Sequence, residues 1–549
     1  MVSGVVIPMG KSLVFQKAEQ YCGYALCFVC LALFSVLFFN SFTSSWVNRD
    51  LMSEAVYFER DSLAGNLFFF AVAAAGMILA ARLFRKAAPR VDMNRLALAA
   101  AAVSVCVAVL WVLASKTAPQ ADQSQIVKQA ERFNAGDFSG LQQSGYVGPC
   151  QQQLGIISVL RVFVLVSSFF ELENWQAFQL FNALTTGLLV YAGFRVVALI
   201  SGGQREAGFL YLLLALFCAP MYVYTAFVYG ESSSTAFAMA AVWMCLECIR
   251  SPARRYVAGL YLFASAALLL RTNVMIVLIA LAIVMAIKLL RGATRGRLLA
   301  ALALLLAMLT PTTLMALLYH DKIPDNSKSM PAILYIAMGT NDESVNAGWY
   351  NGYNGSVYQN CGFDPKLASE TAKRDLIAFA VRCRQDPAYA ADFYYRKIFS
   401  QWNAPMYQCL VMNNLFVGEQ PQLVQSIYEG RGNEYLTAYT NIYQLVAYGG
   451  VLAFLAAGLK KRLPLENYLP LVAVLGGINP SGGSGKAIGI FLSIVTLQVL
   501  SSGFNLLHVS SFLKDLTWGA LLVFVMVLNT LGPKLKHKKA APPAKEQKS

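Results

Sequence analysis

Long apolar runs separated by short basic clusters recur along most of the chain. Runs near 21–41, 66–82, 97–115, 178–200, 208–228, 232–249, 256–270, 273–290, 298–318 and 441–458 approach the ~20 apolar residues that cross a hydrocarbon core about 30 Å thick. Two more lie at 487–506 and 515–532. The pattern predicts an all-α polytopic integral membrane protein with about a dozen transmembrane helices. Lys11 and Lys17 precede the first run, as in a signal peptide, but the chain stays membrane-embedded beyond it, which predicts an uncleaved first span.

The basic clusters set the orientation. They comprise Arg82, Arg85, Lys86, Arg90 and Arg95; Arg250, Arg254 and Arg255; Lys288, Arg291, Arg295 and Arg297; Lys460, Lys461 and Arg462; and Lys534, Lys536, Lys538 and Lys539. Lys and Arg collect in cytoplasmic loops, so the spans between clusters must be even in number. The parity closes only if Leu154–Phe170, apolar but interrupted by Arg161, does not cross. It is read as an interfacial or re-entrant helix on the outer side.

This scheme divides the chain into a transmembrane module at 1–318 with a first outer loop at 116–177, an extracytoplasmic cap at 319–440, a span and basic loop at 441–473, further helices at 474–533, and a basic cytoplasmic tail at 534–549. The cap is rich in Tyr, Asn and Gly and then reads as helical from about 366 to 400. The location expected is the plasma membrane, with the large loops extracytoplasmic.

Composition agrees. Of 549 residues, 57% are hydrophobic and 13% charged, against roughly 25% charged in soluble domains. Topology accounts for the net charge of +15, and no nucleic-acid partner is expected. Most of the eleven cysteines lie in apolar runs, including the CxxC pairs Cys27/Cys30 and Cys245/Cys248, where packing is the expected role. Cys150, Cys361, Cys383 and Cys409 fall in polar loops and leave a disulfide open if those loops face an oxidising space. The three histidines are far apart, so neither a metal site nor a cofactor is predicted, although a divalent metal is not excluded.

Candidate chemistry concentrates at the outer side. Asp122, just beyond the third span, has the position of a general base for an acceptor hydroxyl, or of a helix cap. Arg271 sits at the membrane edge, where a guanidinium needs an anion, a snorkelling route or a partner such as Glu231. Glu231 reads either as an acceptor or metal contact or as the start of a helix. Lys397 and Trp402 fit a donor headgroup and a sugar face, or a surface cation and an interfacial ring.

The order of Asp122, Ala130, Phe133-Asn-Ala-Gly-Asp137, Gly145-Tyr146 and Gln153-Leu-Gly155 resembles the first outer loop of bacterial glycosyltransferase C superfamily membrane proteins, on the protein-mannosyltransferase side. Asn182, Tyr229-Gly-Glu231, Arg271-Thr-Asn273, Met338-Gly339, Gly348-Trp-Tyr-Asn351 and Lys397-x4-Trp402 come next in order, so the resemblance covers about 20–470. It implies transfer of a sugar from a polyprenyl-phosphate donor to a glycan, lipid or protein acceptor at the outer face of the bilayer, with inversion. Asp122 would be the base, and Arg271, Glu231, Asp137, Lys397 and Trp402 the substrate contacts. The chain departs from the family at Gln123, where many relatives carry a second acid, at Cys150-Gln-Gln-Gln153, where Tyr-Pro is expected before the Gln, and at Asn351–Asn354, which lacks an Asp.

The stretch Val474–Lys486, continuing to Leu531, is similar instead to the end of a ribose-type ABC transporter permease. Its glycines do not form a phosphate loop, because no Ser or Thr follows Gly485-Lys486 and no strand precedes it. A resemblance that changes at Gly476-Gly477 implies a composite chain. The alternatives to a glycosyltransferase are a sugar permease, a lipid-linked sugar flippase or a catalytically degenerate fusion.

Overall fold

The computed structural model describes residues 9–469 apart from 50, 52, 343–345 and 462. The permease-like segment, its two spans and the basic tail lie outside the described residues. The described chain contains eighteen α-helices, seven short 3-10 helices and one two-stranded hairpin. Nine of the helices are long and apolar enough to cross a membrane, or ten elements if a bent pair counts as one span.

Helix α1 (Met9–Thr43) leads into the antiparallel strands β1 (Ser44–Val47) and β2 (Tyr57–Arg60). Then come α2 (Leu63–Ala87) and α3 (Met93–Ser115), capped by Ser62 and Asp92. The first loop holds α4 (Ala121–Asn134) and α5 (Leu154–Phe169). The bundle continues with α6 (Gln176–Ile200), α7 (Arg205–Leu216), α8 (Ala219–Val223), α9 (Glu231–Arg250), α10 (Arg254–Leu270), α11 (Met275–Arg291) and α12 (Arg295–Tyr319). The cap comprises α13 (Ala332–Met338), α14 (Tyr353–Asn360), α15 (Pro365–Gln385), α16 (Pro387–Trp402) and α17 (Gln422–Glu429). Asp-Pro pairs start α15 and α16, with the Asp364 and Asp386 carboxylates accepting backbone N–H groups and the prolines filling the first turn. Helix α18 (Arg431–Lys461) returns through the bundle. It begins at 431, so its first turns overlap the 319–440 region read from sequence as the cap.

Loops at one end of the bundle carry the basic clusters and bind each other. Arg85 pairs with Glu206 at 2.9 Å, Lys288 with Glu466 at 2.7 Å, and Arg297 donates to the Ile249 carbonyl at 3.0 Å. The first loop and the cap meet at the other end. Ala118 N donates to Leu415 O at 2.7 Å, Val417 N to Lys116 O at 2.8 Å, and Met330 N to Pro149 O at 2.9 Å.

Helix α5 has the length and hydropathy of a span, but its contacts place both its ends at the cap end of the bundle. Gly155 lies so close to the Leu269 carbonyl that a Cβ would stand 2.1 Å from it. The Ser158 hydroxyl is 2.8 Å from that of Tyr319, and Ser167 accepts from Ala177 N at 3.2 Å. Leu269, Tyr319 and Ala177 are all cap-end residues of their helices. Arg161 is held by Asn134 Oδ1, Tyr319 Oη and Phe133 O, so its cation is solvated by α4 while Val162, Leu165 and Phe169 face outward. The helix therefore lies across one face of the bundle.

The run read as one span at 208–228 is broken. The helices α7 and the 219–226 segment meet at 55°. A break within lipid frees carbonyls that need donors. Tyr222 donates to Leu216 O at 2.9 Å and Tyr443 to Leu214 O at 2.8 Å, while Tyr439 takes Phe217 O. Most of the α9 span window is buried, at 72%, among α6, α10 and α12, with Ala236, Ala238, Ala240 and Ala241 allowing close approach. The α2 window is only 6% buried among the described residues.

These contacts predict a labelling pattern. A cysteine introduced at Ser356 in the cap should react with an impermeant maleimide from the side opposite one introduced at Ser251. Labelling of both from the same side would overturn the topology.

Candidate functional site

Asp122 falls in the first turn of α4, but the helix cap is Gln120 and the Asp122 carboxylate caps nothing. Ala121 just before it has φ +47°, a left-handed conformation that a residue with a Cβ seldom adopts. Two glutamines hold this turn. Gln120 donates to Val411 O at 2.6 Å. Buried Gln123 donates to Met412 O at 2.7 Å and accepts from Val228 N at 2.7 Å. A carboxylate in place of Gln123 would face the Met412 carbonyl with no proton to offer, which explains why a second acid does not suit this position.

Tyr229 donates to Asp122 Oδ2 at 3.1 Å and accepts from Gln153 Nε2 at 2.5 Å. Its ring lies 4.4 Å from the Arg271 guanidinium carbon. Arg271 Nη2 reaches Glu231 Oε1 at 2.9 Å, with the two side chains 11% and 5% exposed. Arg271 is thus drawn inward instead of snorkelling, and apart from this ion pair neither Glu231 oxygen has a hydrogen-bond partner among the described residues. Gly230 supplies the turn, with φ +90°, and a Cβ there would stand 2.7 Å from Ile156 Cδ1 and 3.2 Å from the Leu270 carbonyl. Asp122, Tyr229, Arg271 and Glu231 therefore form one continuous row at the cap end.

The hairpin between α1 and α2 adds a residue that the hydropathy pattern did not single out. Glu54 is fixed through its backbone carbonyl, which accepts from Gln408 Nε2 at 2.6 Å, while its carboxylate carries no ion pair among the described residues. Surrounding atoms and then the charge of Asp122 raise its carboxyl above the ordinary range. Tyr350 of the cap is 60% exposed and feels the charges of both Asp122 and Glu54. Glu54 and Tyr350 thus lie within electrostatic reach of Asp122. Gln152 reaches Tyr335 Oη at 3.1 Å.

The remaining predicted contacts are elsewhere. Asp137 lies beyond the far end of α4, about 20 Å along the chain direction from Asp122 at 1.5 Å per residue. It is exposed, accepts from Ser139 N at 2.9 Å, and its carboxyl is lowered by its hydrogen bonds to Ser139. Trp402 is buried against Phe34, with ring centroids 5.9 Å apart, and its carbonyl accepts from Gln444 and Tyr448. Its indole therefore packs in the core and is not presented to a sugar. Lys397 donates to the Gly339 carbonyl beside Gly348, and burial lowers it to about 8. Trp349 Nε1 donates to Ser400 Oγ at 2.9 Å. Lys397 and Ser400 thus brace the Met338-Gly339 and Gly348-Trp349 segments against α16. Asn182 donates to Thr225 O and Phe227 O at 3.2 and 3.1 Å, satisfying the end of the broken span. All the described cysteines are unpaired, Cys150, Cys361, Cys383 and Cys409 included.

No family model matches the chain, and no solved structure matches it. The xylose/arabinose import permease protein XylH of Sulfolobus acidocaldarius is 36% identical over 66 residues. That stretch is 12% of this chain and 18% of the permease, so the chain spans less than a fifth of this relative. So short a match is a partial likeness to a sugar permease and no more. The resemblance over 20–470 has no counterpart among these matches.

The geometry of the row and of Glu54 generates two predictions. Arg271→Met should destabilise the protein by about 3–5 kcal/mol, since it leaves a buried carboxylate without its cation, and adding Glu231→Leu should recover most of the loss. Unfolding in detergent measures both, and an unchanged midpoint for the single variant would remove the pair from the core of the site. For Glu54, a folded-state carboxyl above the unfolded value stabilises below the ordinary Glu range, near about 4.3, and loses that contribution as pH rises. Glu54→Gln should therefore melt increasingly above wild type as pH is raised from about 4 to neutrality. A pH-independent difference would contradict this.

Proposed function

We propose that this protein is a membrane glycosyltransferase that transfers a sugar from a polyprenyl-phosphate donor to an acceptor hydroxyl at the outer face of the plasma membrane. The basic end then faces the cytoplasm and the cap the outside. The observation that carries the reading is the row from Asp122 through Tyr229 to the Arg271–Glu231 pair. It links an exposed carboxylate through Tyr229 to a nearly buried cation, an arrangement that supports binding of a lipid-linked phosphate.

Each group has a part in this reaction. Tyr229 fixes Oδ2 of Asp122 and leaves Oδ1 to take the acceptor proton. The acceptor oxygen bonds to the anomeric carbon as the bond from that carbon to the phosphate oxygen breaks, so the carbon inverts. The electron pair leaves on polyprenyl phosphate, whose growing charge Arg271 stabilises, and the proton ends on Asp122. Glu231 holds the guanidinium in place beforehand, which limits reorganisation during the step.

A transport role is the second reading, favoured by the permease match and by the broken span at 205–226. Transporters use such breaks to coordinate substrate or ions with freed carbonyls. Here tyrosine hydroxyls occupy those of Leu214, Leu216 and Phe217. That weighs toward chemistry at the membrane edge.

Asp122→Asn should reduce sugar transfer from a radiolabelled polyprenyl-phosphate donor by about 10²–10⁴-fold, with an unchanged melting midpoint. Near-normal turnover would shift the base to Glu54 or Glu231. Label that enters sealed vesicles without joining an acceptor would favour transport.

A further inference from the structure

The basic end holds a cavity of about 520 Å³, remote from Asp122, between the turn at 88–92 and the turn joining α6 to α7. Arg90, Asp92, Gln204 and Arg205 line it together with the apolar side chains of Met93 and Phe194. Its walls are the basic-end termini of three crossing helices, so it opens where the headgroups of the adjoining leaflet lie.

Its charges do not cancel locally. Asp92 is engaged, because Oδ1 caps the N–H groups of Asn94 and Arg95 and Oδ2 meets Arg95 Nε at 3.4 Å. Nearby Glu206 pairs with Arg85 at 2.9 Å. Arg90 is exposed and has no ion pair or hydrogen-bond partner among the described residues. Arg205 directs Nη1 to the carbonyls of Ala88 and Val91, which leaves Nε and Nη2 for another acceptor. The Gln204 side chain does not cap α7, and the Glu206 carboxylate instead takes its own backbone N–H in the first turn. The site thus offers two guanidiniums above an apolar floor.

We propose that this cavity binds a phosphate group, presented by the headgroup of an anionic phospholipid of the leaflet at the basic end. The phosphate oxygens accept from Arg90 and from the free nitrogens of Arg205, bonds that are charge-assisted and strong in an interfacial setting. The first acyl carbons lie against Phe194 and Met93. The site is independent of the sugar-transfer reading, since none of its residues belongs to the row around Asp122.

The test uses the full chain purified in mild detergent. Retention of phosphatidylglycerol and of phosphatidylcholine is measured by native mass spectrometry, with the melting midpoint as a second readout. Wild type should hold phosphatidylglycerol about tenfold more tightly than phosphatidylcholine, as one or two charge-assisted hydrogen bonds allow. Arg90→Gln should remove most of that preference and Arg90→Lys should keep much of it. Arg90 is the informative position because Arg205 also secures the 88–91 turn. Equal retention of the two lipids, or an unchanged preference in a folded Arg90→Gln protein, would overturn the proposal. Inorganic phosphate that protects as well as phosphatidylglycerol would retain the phosphate chemistry and overturn the lipid source.

Discussion

The pairing of Arg271 with Glu231 is the constraint around which the cap end is organised. One residue ends α10 and the other begins α9, the span with the largest buried share. Neither charge is tolerable alone where they sit, so the two helix termini must meet. Their meeting fixes Tyr229, whose ring lies against the guanidinium and whose hydroxyl reaches Asp122. A short polar turn between two spans thereby determines where the first loop places its carboxylate. Apart from the ion pair, both Glu231 oxygens lack hydrogen-bond partners among the described residues, so the pair is not fully satisfied.

The spans were legible because lipid imposes a one-dimensional rule that hydropathy reads directly. Charge parity went further and set α5 apart from the other apolar runs, although its length and hydropathy match theirs, and its contacts place both its ends at the cap end. What that pattern lacked was the partner of Arg161, which comes from α4 and Tyr319 and is visible only in three dimensions. The break between α7 and α8 was equally hidden, since an apolar run keeps its hydropathy when its axis bends.

The site was legible in part. Asp122, Glu231 and Arg271 are polar residues at apolar boundaries, and the structure brings them into one row. Glu54 escaped notice because four-residue strands give too little alternation to mark a hairpin, and its approach to Asp122 depends on how Gln408 holds the turn. Trp402 and Lys397 show the opposite difficulty. A tryptophan and a lysine near the membrane edge look the same in sequence whether they face a ligand or brace a core. Only the rings of Phe34 and Tyr448 and the carbonyl of Gly339 distinguish the cases.

The backbone bonds between the first loop and the cap also bear on access. Residues 116–118 pair with 415–417, Pro149 with Met330, and Gln123 with Met412. A cap stitched down at three separate places is not free to swing away like a door. A molecule descending from the aqueous side would meet this seam, whereas one anchored in the bilayer approaches along the plane and needs none of the stitches undone. Encounter then becomes a search over a surface instead of through a volume, and its rate depends on how crowded and how fluid that surface is.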